Sequence, residues 1–445
     1  MDYKDLSETI IKRSLKKGAD AAEVYIQTLR QLEIQVRKGE IEIIQESVSN
    51  GLGVRVISKG KLAFASTNDL NDKAIDTTIL RAIAFAQSTT PDENNVLPSE
   101  KESTIVEGLY DPKIFEIPTQ EKISLIIKLE KLAMKNKRIT KSDGAWYSEA
   151  EEIIYLANSN GLLKQYKSSL CGITIGVVAE KDEEKRSGYE SCYRRSFSNL
   201  KPLEEIADKA AKKAFNMLNA RQVKTQKAAV IFDPDVAYAI LNGILTAING
   251  EEVLKGASFL GKKSGEKTGS ELLTIIDDGT IPAGLFSSPF DGEGVTTQKR
   301  TIIDKGILKG FMYNTIVARR AGVKSTGNAE RSNYSALPDI GSHHFYIAAG
   351  EPSQDDIIQA TKKGLFLKEV TGYGIDAVNG NFSGGAAGFW IEEGKIAFPV
   401  KELTIAGTAN EMLNDIDMVG NDLELNDQLS APTFRIKSMQ IGGEK

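Results

Sequence analysis

Residues 23–66 read EVYIQTLRQLEIQVRKGEIEIIQESVSNGLGVRVISKGKLAFAS, and this stretch decides the fold of the first half of the chain. Apolar and polar residues alternate along it with a period of two, which is typical of half-buried β-strands. Three tripeptides that end in glycine, at 37–39, 49–51 and 58–60, are typical of hairpin turns. The pattern predicts five short strands: Glu23–Thr28, Leu32–Arg37, Ile41–Ser47, Leu52–Ile57 and Lys61–Ser66.

Helical patterns flank this meander over residues 4–17 and 68–87, where apolar residues recur at helical spacing. The same order then recurs, because helical patterns over 119–136 and 202–218 enclose four more β-rich segments. These predicted strands are Trp146–Ala157, Leu162–Tyr166, Cys171–Ala179 and Gly188–Arg194. We interpret residues 1–222 as an N-terminal α+β domain, an α/β-meander half with a weak internal duplication. The alternative is that the two similar orders of elements arose by chance.

Residues 223–445 are predicted to form a second, β-rich domain. A buried strand at Ala228–Phe232 leads into a helix over Val236–Asn249, for which Asp235 is the predicted N-cap. One later helix, Ser353–Leu365, is expected to end through Gly364. The other segments are short, β-rich and separated by Gly, Asn and Asp, which predicts a mostly antiparallel sandwich or barrel. They are Leu272–Asp277, Gly294–Asp304, Ile307–Tyr313, His344–Ala348, Gly388–Ile391, Lys395–Pro399, Leu403–Ala406 and Phe434–Ile441.

Composition excludes several classes of protein. The 445 residues are enough for two or three domains. With 56 Lys and Arg against 61 Asp and Glu, the net charge is −5, and no dense basic run is present, which argues against direct nucleic-acid binding. Two Cys and two His, the latter adjacent in sequence, exclude a disulfide scaffold and every motif that needs spaced histidines.

The N-terminal sequence MDYKDLSETIIKRS is charged and polar, and it lacks the apolar core of a signal peptide. No stretch approaches the roughly 20 apolar residues that span a bilayer. The sequence therefore predicts a cytoplasmic protein with no membrane partner.

Two short motifs suggest a chemical function, and each has a structural alternative. Gly256–Lys263, GASFLGKK, lacks the final Ser or Thr of a P-loop and follows a predicted helix, so a flexible Gly/Lys loop is favoured. His343 and His344 suggest a metal site. Because adjacent side chains in a strand point to opposite faces, and zinc needs three or more protein ligands, the pair is expected to bind none.

Two further kinds of segment are candidates for a site. The acidic loops 277–279 and 291–294 could bind a divalent cation or supply acid/base carboxylates, with plain turn chemistry as the alternative. Phe382–Trp390, FSGGAAGFW, places small residues beside aromatic ones and permits close backbone approach. It predicts a groove or subunit interface, with tight sheet packing as the alternative.

The second half resembles the TldD/PmbA family, known as modulators of DNA gyrase and as metalloprotease-related proteins. Single matching pieces are short, but their order covers nearly all of that half, and the stretches 18–24 and 49–55 of the first half are also similar. The matching segments of the second half are LLTIIDDGT (272–280), DGEGV (291–295), GILKGFM (306–312), STGNA (325–329), GGAAGFW (384–390), IAG (405–407) and MVGND (418–422).

The catalytic branch of that family carries His-Glu-x-x-x-His on a helix near the start of this half, with a later Cys as third zinc ligand and the Glu as general base. The resemblance puts these positions at Asn242, Gly243 and Ala247, which cannot supply the ligands or the base. Residues 419–445 contain no Cys. The resemblance thus implies the PmbA/TldE-type branch, with no metal and no cofactor, whose members partner a TldD-like catalytic subunit in cleaving small unfolded peptides.

The leading hypothesis is a non-catalytic subunit of a peptide-degrading complex that shapes a groove for an extended peptide. The chain is also expected to form a homodimer in isolation, with much of the contact in the C-terminal half. One alternative is a peptidase or hydrolase with an unconventional site, and another is a gyrase-linked regulator without peptidase context. Candidate groove or interface residues are Asp278, Glu293, Arg331, Asn333, Gly384, Gly385 and Trp390.

Overall fold

The computed structural model describes residues 3–372 and 374–444. Its first half alternates helices with long strands, and a 3₁₀ turn at Phe197–Asn199 precedes the last helix. The elements are α1 (Tyr3–Lys16), β1 (Ala21–Arg37), β2 (Glu40–Ser58), β3 (Lys61–Thr67), α2 (Asp72–Ser88), α3 (Lys113–Glu116), α4 (Thr119–Ala133), β4 (Ile139–Asn158), β5 (Leu163–Lys181), β6 (Glu184–Arg194) and α5 (Leu203–Phe215).

The six strands form one antiparallel sheet in the order β3-β2-β1-β4-β5-β6. Side chains of β1 alternate between its two faces, and Val24, Ile26, Ile34 and Val36 all pack under helices. Helices α1 and α2 cover one end of this face, and α4 and α5 cover the other. The order helix, three strands, helix thus occurs twice about the β1–β4 pair, and the predicted α+β class is confirmed.

The strands are longer than predicted, and the prediction of a turn at 49–51 was wrong. The turns at Lys38-Gly39 and Lys59-Gly60 are tight hairpins with positive φ at both residues. Residues 49–51 instead lie inside β2 in extended conformation. Glycine is needed at 51 for a different reason, because a Cβ there would collide with the ring of Tyr334 from the second half of the chain.

The second half has many short elements and a 3₁₀ turn at Pro234–Val236. They are β7 (Gln226–Phe232), α6 (Tyr238–Ala247), α7 (Gly250–Leu254), β8 (Ile275–Asp278), β9 (Lys299–Asp304), β10 (Ile307–Leu308), α8 (Thr315–Arg320), β11 (Ala329–Glu330), β12 (Asp339–Ile340), β13 (His344–Ile347), α9 (Gln354–Gln359), β14 (Lys363–Thr371), β15 (Asn381–Glu392), β16 (Lys395–Thr408), α10 (Ala409–Asn414), β17 (Ile416–Val419), β18 (Leu429–Ser430) and β19 (Phe434–Gly442).

A closed barrel dominates this half. Strands β16, β15, β14, β7 and β19 are hydrogen-bonded in that order, and β19 pairs back with β16 to close the ring. β17 extends β19 outside the ring. A second sheet, β10-β9-β8-β13-β18, packs with α6 against the same hydrophobic core. Only β7–β14 and β13–β18 are parallel among the described pairs of strands, so the predicted antiparallel barrel is confirmed.

Two helix boundaries differ from the prediction. Asp233, rather than Asp235, caps the turn before α6, because its side chain accepts a hydrogen bond from the backbone N–H of Asp235. Ser353 begins α9 as expected, and it forms a capping box with Asp356, but the helix ends at Gln359 and not near Gly364. The chain beyond it joins β14, whose parallel pairing with β7 draws residues 364–367 out of the helix.

The two halves meet on the face of the six-stranded sheet that carries no helix. There Tyr25, Ile154 and Leu156 pack against Phe290 of the second half. The domain boundary predicted between residues 222 and 223 falls between α5 and β7, and we retain it as a proposal. No helix in the described residues is long and apolar enough to cross a bilayer.

Close packing at the junction of the halves predicts a graded cost for adding a methyl group. A Cβ at Gly53 would collide with the backbone carbonyl of Tyr334 and the ring of Phe64, whereas the atoms nearest to a Cβ at Gly51 belong to the movable ring of Tyr334. We expect Gly53→Ala to lower the free energy of unfolding by about 1–3 kcal/mol, and Gly51→Ala by less. Urea unfolding checks this, with Ser49→Ala on exposed β2 as control. The Tyr334→Ala background should remove the cost of Gly51→Ala, and an unchanged cost there would contradict the packing argument.

Candidate functional site

A buried ion-pair network joins the two halves of the chain. Arg55 on β2 is 1% exposed and donates to the carboxylate of Glu23 on β1 (2.6 Å) and to that of Glu293 in the second half (2.7 Å). Burial opposes its charge, but the two carboxylates outweigh it, and the pKa of Arg55 is raised. Glu293 also accepts from the backbone N–H of Thr315, at the start of α8. The second half is therefore docked through charge as well as through apolar contact.

Arg331 extends this network from the other side. Its guanidinium pairs with Glu23 and donates to the carbonyl oxygens of Gly292 and Ala336. It also lies over the ring of Tyr25, 4.9 Å from the centroid. Glu23 is thereby held between two arginines, so each of its carboxylate oxygens has a cationic partner in a site with almost no exposure to water.

Beside the network lies a polar cavity of about 300 Å³ between the sheet and the second half. The sheet contributes tyrosine, glutamine, glutamate and arginine side chains, and the second half contributes mainly serine, asparagine, acidic and histidine residues. The polar side chains lining it include Tyr25, Gln27, Glu152, Tyr166, Arg195, Ser287, Asp291, Asn328, Glu330, Arg331, Ser342, His343 and Gln428.

The acidic loop 291–294 forms one wall of the cavity. Asp291 accepts three backbone hydrogen bonds, from the N–H groups of Glu293, Val295 and Ala329. Burial and the neighbouring charge of Glu293 raise the pKa of Asp291 to about 7, against the effect of those three donors. The turn chemistry foreseen for this loop is present, but it also positions Glu293 for Arg55.

The two histidines occupy different environments and do not face one ion. His343 lines the cavity and contacts Asp277 through both its backbone N–H and its ring Nδ1. Burial opposes protonation of its ring, but Asp277 outweighs that effect, and the pKa of His343 is raised. His344 points elsewhere, and its Nε2 accepts from the N–H of Phe286. Burial lowers the pKa of His344 to about 4, so the ring is neutral at neutral pH.

The structure brings some of the predicted site residues together. Glu293 and Arg331 meet through Arg55 and Glu23, and Arg331 reaches the cavity. Asp278 is buried at the end of β8, where its carboxylate accepts from the backbone and hydroxyl of Thr280. Asn333 is exposed and accepts from Ser335 in a local turn, away from the network.

The glycine-rich stretch lies in the barrel, apart from the cavity. Trp390 is 2% exposed and belongs to the hydrophobic core, as the sheet-packing alternative supposed. Gly384 is buried on β15, and a Cβ there would lie 2.8 Å from the Thr371 carbonyl oxygen. Gly385 is half-buried. Of the aromatic residues, Phe389 lines a larger groove of about 860 Å³ between the barrel and the α5–β6 side of the sheet.

The three positions of the zinc motif lie on α6, and they do not fit a metal site. Gly243 packs against the backbone of Ile375, and a Cβ there would collide with the Ile375 carbonyl oxygen. Ala247 is fully buried in the hydrophobic core, and Asn242 is half-buried. No cluster of three His, Cys, Asp or Glu side chains suited to a metal occurs in residues 3–372 and 374–444.

Sequence reasoning missed Arg55, Glu23 and Arg195. Arg55 carried a usable signal, since a charged residue in the run Leu52–Ile57 interrupts an otherwise apolar strand. Glu23 is its cross-strand partner in the β1–β2 register, so the two face the same side. Arg195 follows the last residue of β6 and gave no pattern of its own.

Comparison with known proteins covers almost the whole chain. Family models described as PmbA/TldA metallopeptidase domain 1, central domain and C-terminal domain match residues 22–86, 112–218 and 225–443. A metalloprotease PmbA of Escherichia coli O157:H7 is 32% identical over 96% of this chain and 93% of its own length. The recognised resemblance is confirmed.

Solved structures of similar proteins have the same fold over almost the whole chain. TldE from Thermococcus kodakarensis superimposes with a TM-score of 0.88 at 26% identity, covering 98% of this chain and 99% of that one. A Bacteroides thetaiotaomicron protein described as a candidate modulator of DNA gyrase reaches a TM-score of 0.91 at 26% identity, with 100% and 99% covered.

The buried network predicts a large cost for removing its central cation. Arg55→Met leaves the Glu293 carboxylate buried without its cation, and we expect it to lower the free energy of unfolding by about 3–5 kcal/mol. Arg30→Met is the matched control on the same sheet. Arg30 pairs with Glu46 at the exposed surface, so its loss should cost about 0–1 kcal/mol. Similar losses of stability in urea for both variants would contradict the role of the network.

His344 predicts a specific acid sensitivity. Its pKa is about 4 in the folded chain against 6.5 as the ordinary value, so the unfolded chain binds the proton more tightly. The contribution of His344 to stability is complete above pH 6.5 and is lost as the pH falls toward 4. We expect His344→Gln to lose less stability than the unaltered chain between these two pH values. Urea midpoints measured across that range check this, and parallel curves would refute it.

Proposed function

This chain belongs to the PmbA/TldD metallopeptidase family, and we propose that it is a non-catalytic subunit of the PmbA/TldE type. In this proposal it pairs with a TldD-like catalytic subunit in the cytoplasm, and the pair degrades or processes small unfolded peptides. The partner supplies the zinc ion and the general base. This chain supplies binding surface and covers the partner's active site.

The packing of α6 is the observation that carries this proposal. A zinc peptidase of this family type needs a glutamate where this chain has Gly243, and that position lies directly against the Ile375 backbone. No longer side chain fits there unless the loop over the helix moves. Ala247 replaces a ligand and is sealed in the core. The helix is therefore built as a core element, which supports a role other than metal catalysis.

An exposed strand edge supports a role in holding extended peptides. β3 pairs with β2 only over residues 52–58, and no other described strand pairs with residues 40–51 on that side. The equivalent edge of β5 is covered at Ser169, whose backbone N–H donates to the carbonyl of Leu109. A free edge can bind a peptide backbone irrespective of its sequence.

Association with a second chain remains part of the proposal, but burial restricts which residues can form the contact. We expect a homodimer in isolation and use of the same surface with the TldD-like partner. Phe382 and Trp390 are internal, so we place the contact at the large groove, which is lined by the exposed Ile396 and the half-buried Phe389. A stable interface needs at least about 1,000 Å² in total.

Two other functions are outcomes of the same test. An unconventional hydrolase would use Asp278, Glu293, Arg331 or Asn333. Glu293 and Arg331 are already committed to ion pairs. A gyrase-linked regulator is suggested by the description of the Bacteroides relative.

Copurification from the native cell, followed by peptide cleavage with and without the recovered partner, separates these functions. We expect a TldD-like chain to copurify, cleavage of short unfolded peptides only by the pair, inhibition by chelators, and no stoichiometric zinc on the isolated chain. Zinc at one equivalent on this chain, with chelator-sensitive cleavage by it alone, would favour the hydrolase. Recovery of gyrase without a TldD-like chain would favour the regulator.

A variant on the free edge tests the peptide-holding role. Ile44→Lys places a charge on exposed β2, where charged residues discourage strand pairing. We expect it to reduce cleavage by the pair several-fold. Ile105→Lys, at an exposed site in the connector, is the matched control and should leave cleavage unchanged. Equal activity of both variants would remove the edge from the proposal.

A further inference from the structure

The interdomain cavity contains buried polar groups that the protein does not satisfy. Ser287, Asn328 and Ser342 line it and are 3%, 1% and 8% exposed. The two serine hydroxyls and the Asn328 carbonyl oxygen make no hydrogen bond within the described residues. Native proteins rarely leave buried polar atoms unpaired, and such atoms are usually satisfied by water or by a ligand.

The cavity also contains a cation without a counter-ion. Arg195 is 9% exposed and donates to the carbonyl oxygens of Ser169, Gly284 and Leu285, but it forms no ion pair with any described carboxylate. Arg331, the other arginine that lines the cavity, pairs with the carboxylate of Glu23. A guanidinium has five N–H groups, so Arg195 retains donors for an anion. Burial lowers its pKa, which a bound carboxylate would reverse.

An unpaired anion lies in the same cavity. Glu152 projects from β4 on the side opposite to the helices and accepts one hydrogen bond from the Gln27 amide, 2.6 Å away. It pairs with no Lys or Arg of the described chain, although it acts electrostatically on Arg195. Arg195 and Glu152 therefore both line the cavity, and they do not form an ion pair with each other.

We propose that this cavity binds a small zwitterion, a free α-amino acid or a dipeptide, with its carboxylate on Arg195 and its ammonium group toward Glu152. The volume of about 300 Å³ suits a ligand of that size and is at the lower limit for small-molecule sites. Phe286 and Ser332 line the cavity and are exposed, so it has a mouth to solvent. The ligand would satisfy the orphaned hydroxyl and amide groups, and the site stands whether or not the chain has a TldD-like partner.

Thermal unfolding and calorimetry of the full-length chain with glycylglycine test this proposal. A ligand that binds only the folded state raises the unfolding temperature with its concentration. We expect glycylglycine to do so and to release heat. Its N-acetylated and C-amidated forms, which each lack one charge, should bind at least about tenfold more weakly. Equal binding of the capped forms, or no binding of any amino acid or dipeptide at about 10 mM, would overturn the proposal.

Two variants locate the site. Glu152→Gln and Ser287→Ala should each weaken glycylglycine binding, with the first also abolishing the preference for a free ammonium group. Glu151→Gln is the matched control, since Glu151 lies on the opposite face of β4 and pairs with Lys167. Circular dichroism confirms that each variant is folded. Unchanged affinity in folded Glu152→Gln and Ser287→Ala, or equal loss in Glu151→Gln, would refute the assignment.

Discussion

Arg55 lies between carboxylates from the two halves of the chain, and the arrangement of the molecule depends on this contact. A guanidinium that is 1% exposed is tolerated only when its charge is matched at close range. The β1–β2 register places Glu23 beside Arg55, and the loop 291–294 must bring Glu293 to the other side. That requirement fixes where the second half docks on the sheet.

Other features of the junction follow from the same docking. The ring and backbone of Tyr334 lie over Gly51 and Gly53, which have no side chains on the face that Arg55 shares. Phe290 packs on the apolar part of that face, and the polar cavity occupies the part where neither charge pairing nor apolar packing is complete. Tight packing, ion pairing and a cavity with unsatisfied polar groups thus adjoin one another on a single face of the sheet.

The periodicity of the sequence was sufficient to predict the α+β class, the repeated element order and a mostly antiparallel sandwich or barrel. It did not give the lengths of the strands, because it divided β1, β2 and β3 into five shorter segments. Alternation continues smoothly through 28–32 and 47–52, and glycine in 49–51 resembled a turn because glycine serves turns and close approaches equally. Only Tyr334, nearly three hundred residues later, distinguishes the two uses. The helix that ends at Gln359 was predicted to be too long for a similar reason. The pairing with β7, and not the local sequence, determines where β14 begins.

The candidate site was predicted in part. Glu293 and Arg331 were chosen for their charge, and the structure unites them through Glu23 and Arg55. These two residues lie in the family-like stretches 18–24 and 49–55, but their pairing depends on the strand register, which the sequence pattern did not provide. Trp390 was chosen for its chemistry as a contact residue and lies in the core, because aromatic residues beside glycine serve internal packing as well as interfaces. The family was recognised from motifs that occur in the same order along the chain. Such motifs indicate common ancestry, but they do not indicate which residues are exposed at the surface.

The long sequence separation within the Arg55 network has a consequence during synthesis. Glu293 leaves the ribosome 238 residues after Arg55. At about 5–20 residues per second, the nascent sheet waits roughly 10–50 s for its partner. Throughout that delay the face destined for the interior presents Glu23, Arg55 and Gln27 to water, and these side chains remain well solvated. A junction made only of apolar residues would expose a hydrophobic surface to water for the same period. The charged and polar side chains of the junction thus limit the apolar surface that the half-made protein exposes on this face to residues such as Tyr25, Ile154 and Leu156.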